Sequence, residues 1–212
     1  GRMRAHLPQQ IQQLEGWRYA ITSNGAAIYD RQESRLLYSH CLDMETAAAI
    51  LDFLSPMPVF FEVYCDGDSY VQTERLEQAD RYHVPQRDME FLAQKCHPVE
   101  NLAAYIRQEG IHLGKIYIPY LDQETNQRIR SWLSSLPVAV TSSVDTNIEV
   151  NRKGTSKGDA LGRLCQMLGI QPQEVLAVGD NHNDLTMLQF AGTAVAVANG
   201  EPEVKAAAGI IA

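Results

Sequence analysis

Val175-Leu176-Ala177-Val178-Gly179-Asp180-Asn181-His182-Asn183-Asp184 is the stretch on which the fold turns. An apolar run of strand length breaks at Gly-Asp, and the residues from Asp184 to Ala191 then take up helical spacing. The run reads as a buried strand, and in open parallel sheets ligands bind outside the carboxyl ends of such strands. Asp180, Asn183 and Asp184 bring three oxygen-bearing side chains into one loop, a set suited to Mg²⁺, which takes a few carboxylates and keeps waters for a phosphate. The same residues are also favoured helix N-caps, so a capping loop is the competing reading. An EF-hand is excluded because Leu185 stands where the calcium loop needs glycine.

Working outward, Lys153-Gly154-Thr155-Ser156-Lys157-Gly158 precedes a helix from Lys157 to Leu168 that stops at Gly169. Lys157 opposes the helix dipole, while backbone amides at that end attract anions, so the lysine either meets a phosphate or is a solvated residue beside a Ser156 cap. Glycine spacing rules out a P-loop. Downstream come a strand from Ala194 to Ala198, a turn at Asn199-Gly200 and a helix from Pro202 to Ala207. That alternation is the βαβ rhythm of a parallel sheet.

Upstream, a helix is expected from Pro8 to about Glu15 and strands at 19–22, 27–29 and 36–38, with Asn24-Gly25 as a turn. A helix follows over 44–53, and two β-rich runs flank Asp66-Gly67-Asp68 as a hairpin. Beyond a polar stretch, helices are expected over 99–108 and 123–136 and strands at 115–119, 137–142 and 147–150. The organisation is thus an α/β parallel-sheet core, residues 1–25 and 151–212, interrupted by an α+β insertion over 26–150.

The 212 residues carry 18 Lys plus Arg against 26 Asp plus Glu, a net charge of -8, which argues against nucleic acid and anionic membrane as partners. Cys41, Cys65, Cys96 and Cys165 form no C-x-x-C pair or compact framework and fit reduced thiols in the cytoplasm. No stretch has the length of a membrane span, and nothing at the start resembles a signal peptide. Oligomeric state is left open.

Taken in order, Ser156-Lys157-Gly158-x-Ala160-Leu161, a helix, a strand, Gly179-Asp180-x-x-Asn183-Asp184, Met187-Leu188 and Ala191-Gly192 resemble the C-terminal half of Cof-type hydrolases. These are phosphatases of the haloacid dehalogenase (HAD) superfamily with a large α/β cap. Further matches are Ile21-Thr22-Ser23-Asn24-Gly25-Ala26-Ala27, Val140-Thr141-Ser142-Ser143 and Ile148-Glu149-Val150. The resemblance implies a HAD-like Rossmannoid core with an inserted cap. It implies a Mg²⁺-dependent phosphatase of small phosphorylated metabolites such as sugar phosphates, nucleotides, FMN or pyridoxal phosphate. It assigns Lys157 and Asp180 to catalysis, Lys157, Asn183, Asn24 and Gly25 to the phosphate or substrate, and Asp180, Asp184 and Asn183 to the metal or its surroundings.

In that family an N-terminal D-x-D-G-T supplies an aspartate that is phosphorylated and then hydrolysed. No such motif occurs in these residues, and Gly1-Arg2 resembles the end of the family's Thr-Gly-Arg. The expectation is therefore a member cut at its N-terminus, inactive as it stands and exposing apolar sheet surface. The alternative is a non-catalytic phosphate- and metal-binding module. Cys65-Asp66-Gly67-Asp68 is no substitute for the nucleophile motif, because its flanks read as a hairpin and not as a strand-to-helix crossover. His182 reads as exposed, Trp17 and Trp132 as packing residues, Cys65 as unreactive, and Glu62, Tyr64 and Tyr70 as either structural or facing the cleft between cap and core.

Overall fold

Three sheets organise the chain in the computed structural model, which describes residues 2, 7–108 and 111–212. Gly1 lies outside the described residues, so the Thr-Gly-Arg comparison is carried there by Arg2 alone. A short helix α1 (Gln9–Gln13) precedes β1 (Tyr19–Thr22), β2 (Ala27–Asp30) and β3 (Arg35–Ser39), which form an antiparallel sheet in that order. After α2 (Met44–Leu54), capped by Asp43, the chain enters a six-stranded mixed sheet. Its elements are β4 (Glu62–Cys65), β5 (Asp68–Gln72), α3 (Thr73–Glu77), α4 (Gln86–Lys95), β6 (Cys96–Val99), α5 (Leu102–Ile106), β7 (Leu113–Ile118), α6 (Gln123–Leu133), β8 (Val138–Thr141) and β9 (Ile148–Arg152). The strand order is β6-β5-β4-β7-β9-β8. The third unit holds α7 (Lys157–Leu168), β10 (Leu176–Gly179), α8 (Leu185–Phe190), β11 (Thr193–Ala196), α9 (Pro202–Ala207) and β12 (Ile210–Ile211), its strands all parallel.

Period-two patterning explains the large sheet. Val63, Cys65, Ile116, Ile118, Ile148 and Val150 alternate with Glu62, Tyr64, Lys115, Tyr117 and Glu149. The apolar set packs under α2, α5 and α6, where Phe53 stacks on Trp132 at 4.0 Å, so Trp132 is a packing residue as expected. Register puts Glu62 opposite Tyr117, Tyr64 opposite Lys115 and Tyr117 opposite Glu149, gathering the polar set on the opposite face. At one end of that face, Phe60, Val71, Leu92 and Cys96 make a smaller core beneath α3 and α4. Arg75 staples this end: it donates to the carbonyls of Ser55 and Val59 and lies over the rings of Phe61 and Tyr82.

The Asp66-Gly67 hairpin forms as the sequence implies, both turn residues at positive φ. Helix α7 keeps its expected bounds, with Ser156 accepting from the Asp159 amide at 3.0 Å. Other elements differ. Cys96–Val99 is a strand parallel to β5, and Asn101 starts a shorter helix than the 99–108 span suggests by capping the Ala104 amide. Helices α3 and α4 were hidden in the polar stretch because α4 buries only Leu92. Strand pairing also runs across both expected joins: β1 and β2 straddle residues 25 and 26, and β9 runs through residue 150.

The apolar sheet surface expected from the sequence lies on the strand also expected to be buried. In β10, Ala177 is 6% exposed, but Leu176 is 63% and Val178 50% exposed. Helices α8 and α9 cover one face of this sheet, through Leu188 and Val204, while the other stays open together with Ile211 at 58%.

Candidate functional site

The loop after β10 is built around one carboxylate. Asp184 Oδ2 accepts from the backbone amides of Asp180 and Asn181 at 3.0 and 3.1 Å, and its Oδ1 takes the Lys157 ammonium at 2.5 Å. Lys157 also donates to Asn183 Oδ1 at 2.9 Å. Burial alone would raise the Asp184 carboxyl, but Lys157 and the two amides outweigh it and hold it below its ordinary value. Lys157 is therefore held by Asn183 and Asp184 rather than waving in solvent.

Two glycines allow this approach. Gly158 lets α7 pack on α8, since a Cβ there would sit 2.3 Å from the Thr186 carbonyl. Gly25, at φ +103°, brings the Ser23-Asn24 turn against the Ser156 carbonyl, 2.1 Å from where a Cβ would lie. Asn24, also at positive φ, donates through Nδ2 to Glu149, to Asn151 Oδ1 at 3.2 Å and to Thr141 Oγ1 at 3.3 Å, while its buried Oδ1 has no hydrogen-bond partner among the described residues. A cavity of about 290 Å³ brings Asn24 and Gly25 together with Lys157, Asp184 and Met187.

The main cavity, about 660 Å³, lies between this loop and the polar face of the six-stranded sheet. From the loop side it is lined by Lys157, Asp180, Asn181 and Asn183, and from the sheet by Glu62, Tyr64, Lys115, Tyr117 and Glu149. Asp88, Phe91 and Tyr120 close a third side, Tyr120 held at φ +59°, a costly conformation for an aromatic residue. Arg2 also lines both cavities.

Of the metal candidates, Asp180 is exposed at the cavity, whereas both Asp184 oxygens are engaged by Lys157 and the loop amides. Asn183 reaches the cavity with its carbonyl on Lys157. No group of three His, Cys, Asp or Glu residues able to hold a metal occurs among the described residues. The donor set fits a magnesium ion held through one protein carboxylate, Asp180, with substrate phosphate and water filling the remaining positions. His182 is exposed and pairs with Glu203 at 3.0 Å.

On the sheet face, Lys115 is 1% exposed and 3.6 Å from Glu149, with its ammonium 4.3 and 5.2 Å from the ring centroids of Tyr64 and Tyr117. Burial pulls the Lys115 ammonium below its ordinary value against the pull of Glu149 and Glu62. Burial likewise opposes ionisation of Glu149, but Lys115 and the hydrogen bonds from Asn24 and Ser143 keep its carboxyl below the ordinary value. The Tyr117 phenol is pushed up to about 12, chiefly by burial, so it remains a proton donor.

Glu62 and Tyr64 thus face the cavity, while Tyr70 turns to the other face against Tyr105, ring centroids 4.4 Å apart. Lys115, Tyr117, Glu149 and Asn181 were not singled out as cavity residues from the sequence. The signal for the first three is their alternation with buried aliphatics, a charged stripe on strands otherwise built for a core. Asn181 bridges the two sides by donating to the Ser143 carbonyl at 3.0 Å.

This geometry, a lysine-braced Gly-Asp loop at the carboxyl end of a parallel strand facing a second sheet, is that of a HAD-like hydrolase. The family description of haloacid dehalogenase-like hydrolases matches residues 1–212, and the chain belongs to that family. Among its relatives is the phosphatase YwpJ of Bacillus subtilis, 28% identical over 207 residues, 90% of this chain and 72% of that one. Another is the 5-amino-6-(5-phospho-D-ribitylamino)uracil phosphatase YwtE of the same organism, 28% identical over 201 residues, 87% and 70% of the two chains. A solved haloacid dehalogenase-like hydrolase from B. subtilis superposes with a TM-score of 0.75 at 27% identity, covering 91% of this chain and 73% of that one.

Proposed function

We propose that the protein is a Mg²⁺-dependent phosphatase of small phosphorylated metabolites and that the cavity between the Gly179-Asp180 loop and the six-stranded sheet, acting as a cap, is its active site. One observation carries this reading: Lys157, Asn183 and Asp180 converge on a cavity whose opposite wall is formed by a different sheet. Lys157 supplies fixed positive charge for a phosphoryl group, and Asp184 is a positioning residue that sets Lys157 and the loop amides together. Asn183 orients the ammonium. Asp180 would hold the metal, which when bound neutralises phosphate charge and polarises the ester.

The reading needs a carboxylate nucleophile from outside these 212 residues, which contain no D-x-D-G-T. YwtE, by its name, acts on a phosphorylated ribitylamino compound, which supports a small monoester as substrate. A cytoplasmic setting is supported by the four unpaired cysteines. Among the described residues no helix is long and apolar enough to cross a membrane. The test is turnover of phosphomonoesters with and without Mg²⁺ by the protein as its source makes it. Asp180→Asn should lower metal-dependent kcat by about 10³-fold. Undiminished turnover in that variant would sink the assignment, and saturable phosphate binding without any turnover would favour a binding module.

A further inference from the structure

We infer that the sheet-side wall of the main cavity selects phosphomonoesters whose leaving group is neutral or cationic and rich in hydrogen-bond donors, and rejects leaving groups that carry a second anion. This rests on the phosphatase reading above and deepens it.

The cavity is electrically two-ended. Its loop end carries Lys157 and Arg2. Its sheet end carries the carboxylates of Glu62, Asp88 and Glu149 with Lys115 as their cation. Lys115 is already committed to Glu149 at 3.6 Å and to the faces of two tyrosines. Glu149 is further bound by Asn24 and by Ser143 at 3.3 Å.

Glu62 is the group left asking for a ligand. It is 4% exposed; its Oε2 accepts from the Ser69 hydroxyl and from the Cys96 thiol at 3.2 Å, and its Oε1 has no hydrogen-bond partner among the described residues. A carboxylate oxygen that opens onto a cavity from an otherwise buried residue is stabilised by a hydroxyl or amine donor and destabilised by another anion. Asp88 adds a second carboxylate from α4, beside the Tyr120 phenol and with Oδ1 3.7 Å from Arg87. Phe91, 46% exposed on the next turn, offers an apolar face to carbon-bound hydrogens. A second carboxylate or phosphate near Glu62 and Asp88 would meet like charge from both, and like-charge contacts discriminate between ligands.

The test compares three six-carbon esters that differ at the far end from the phosphate: sorbitol 6-phosphate, glucosamine 6-phosphate and 6-phosphogluconate, with p-nitrophenyl phosphate as a general monoester. The expected result is a kcat/KM for the neutral and amino esters at least about tenfold above that for the gluconate. Glu62→Gln, which keeps the shape and removes the charge, should narrow that ratio to within about threefold. If Glu62→Gln does not fold, Asp88→Asn is read the same way. Equal turnover of sorbitol and gluconate esters, or a ratio untouched by the charge-removing variant, overturns the inference. If the protein as its source makes it hydrolyses no ester, p-nitrophenyl phosphate included, the phosphatase reading fails by itself. Calorimetric Kd values for the three esters then decide the inference: the same order supports it, and equal affinities overturn it.

Discussion

The six-stranded sheet and the parallel sheet treat their apolar residues in opposite ways. In the first, Ile116, Ile118, Val63 and Val150 are fully buried beneath three helices, and the charged face opposite them lines the main cavity. In the second, β10 buries Ala177 but leaves Leu176 and Val178 half exposed or more. Yet it is the less covered sheet that carries Asp180 and braces Lys157. The difference separates two constructions: the large sheet has a helix-covered core on one face and a polar cavity wall on the other, and the parallel sheet presents a loop held by hydrogen bonds from Lys157 and two backbone amides.

The sharpest way to break this comparison is to cut each sheet in turn. Ile116→Ala, at a fully buried position of the large sheet, should cost about 3 kcal/mol in denaturant unfolding of this chain. A loss below about 1 kcal/mol would mean that the sheet is not the stable unit. Between the two sheets, Gly25→Ala forces a side chain into positive φ and against the Ser156 carbonyl, and should cost about 2 kcal/mol while weakening phosphate binding. Unchanged stability there would show that the turn can move away from α7.

A smaller, pH-dependent effect is expected at His40, which bonds Thr155 Oγ1 at 2.9 Å and whose pKa is lowered from 6.5, first by burial and then by Arg152. The folded state then binds fewer protons than the unfolded state, so this contribution is present above pH 6.5 and is lost as pH falls through the folded pKa. His40→Gln should flatten the stability curve in that acid range, and a curve that stays parallel to the parent would remove His40 as its cause. Smallest of all, Leu176→Ser in this chain should change stability by no more than about 0.5 kcal/mol and reduce self-association. A cost of several kcal/mol would mean that the open face is covered.

Much of the parallel unit was legible because local rules act there without help: Ser156 caps α7, Lys157 opens it, and a Gly-Asp loop follows an apolar strand. The hairpin at Asp66-Gly67 is equally local. What the sequence withheld depends on partners far along the chain. Spacing could not show that Asp184 braces Lys157 and two loop amides with both its oxygens while Asp180 stands at the cavity, because that depends on how the loop closes on α7. The charged stripe of Glu62, Lys115 and Glu149 reads as a cavity wall only once three strands lie in register.

The most direct test of the central claim, that phosphate belongs to the loop of the parallel sheet and the leaving group to the large sheet, is titration of orthovanadate with Mg²⁺ into the protein and two variants. The account predicts saturable binding that is lost in Lys157→Met and retained in Glu62→Gln. Binding that survives Lys157→Met but disappears in Glu62→Gln would place the phosphate on the sheet and contradict it.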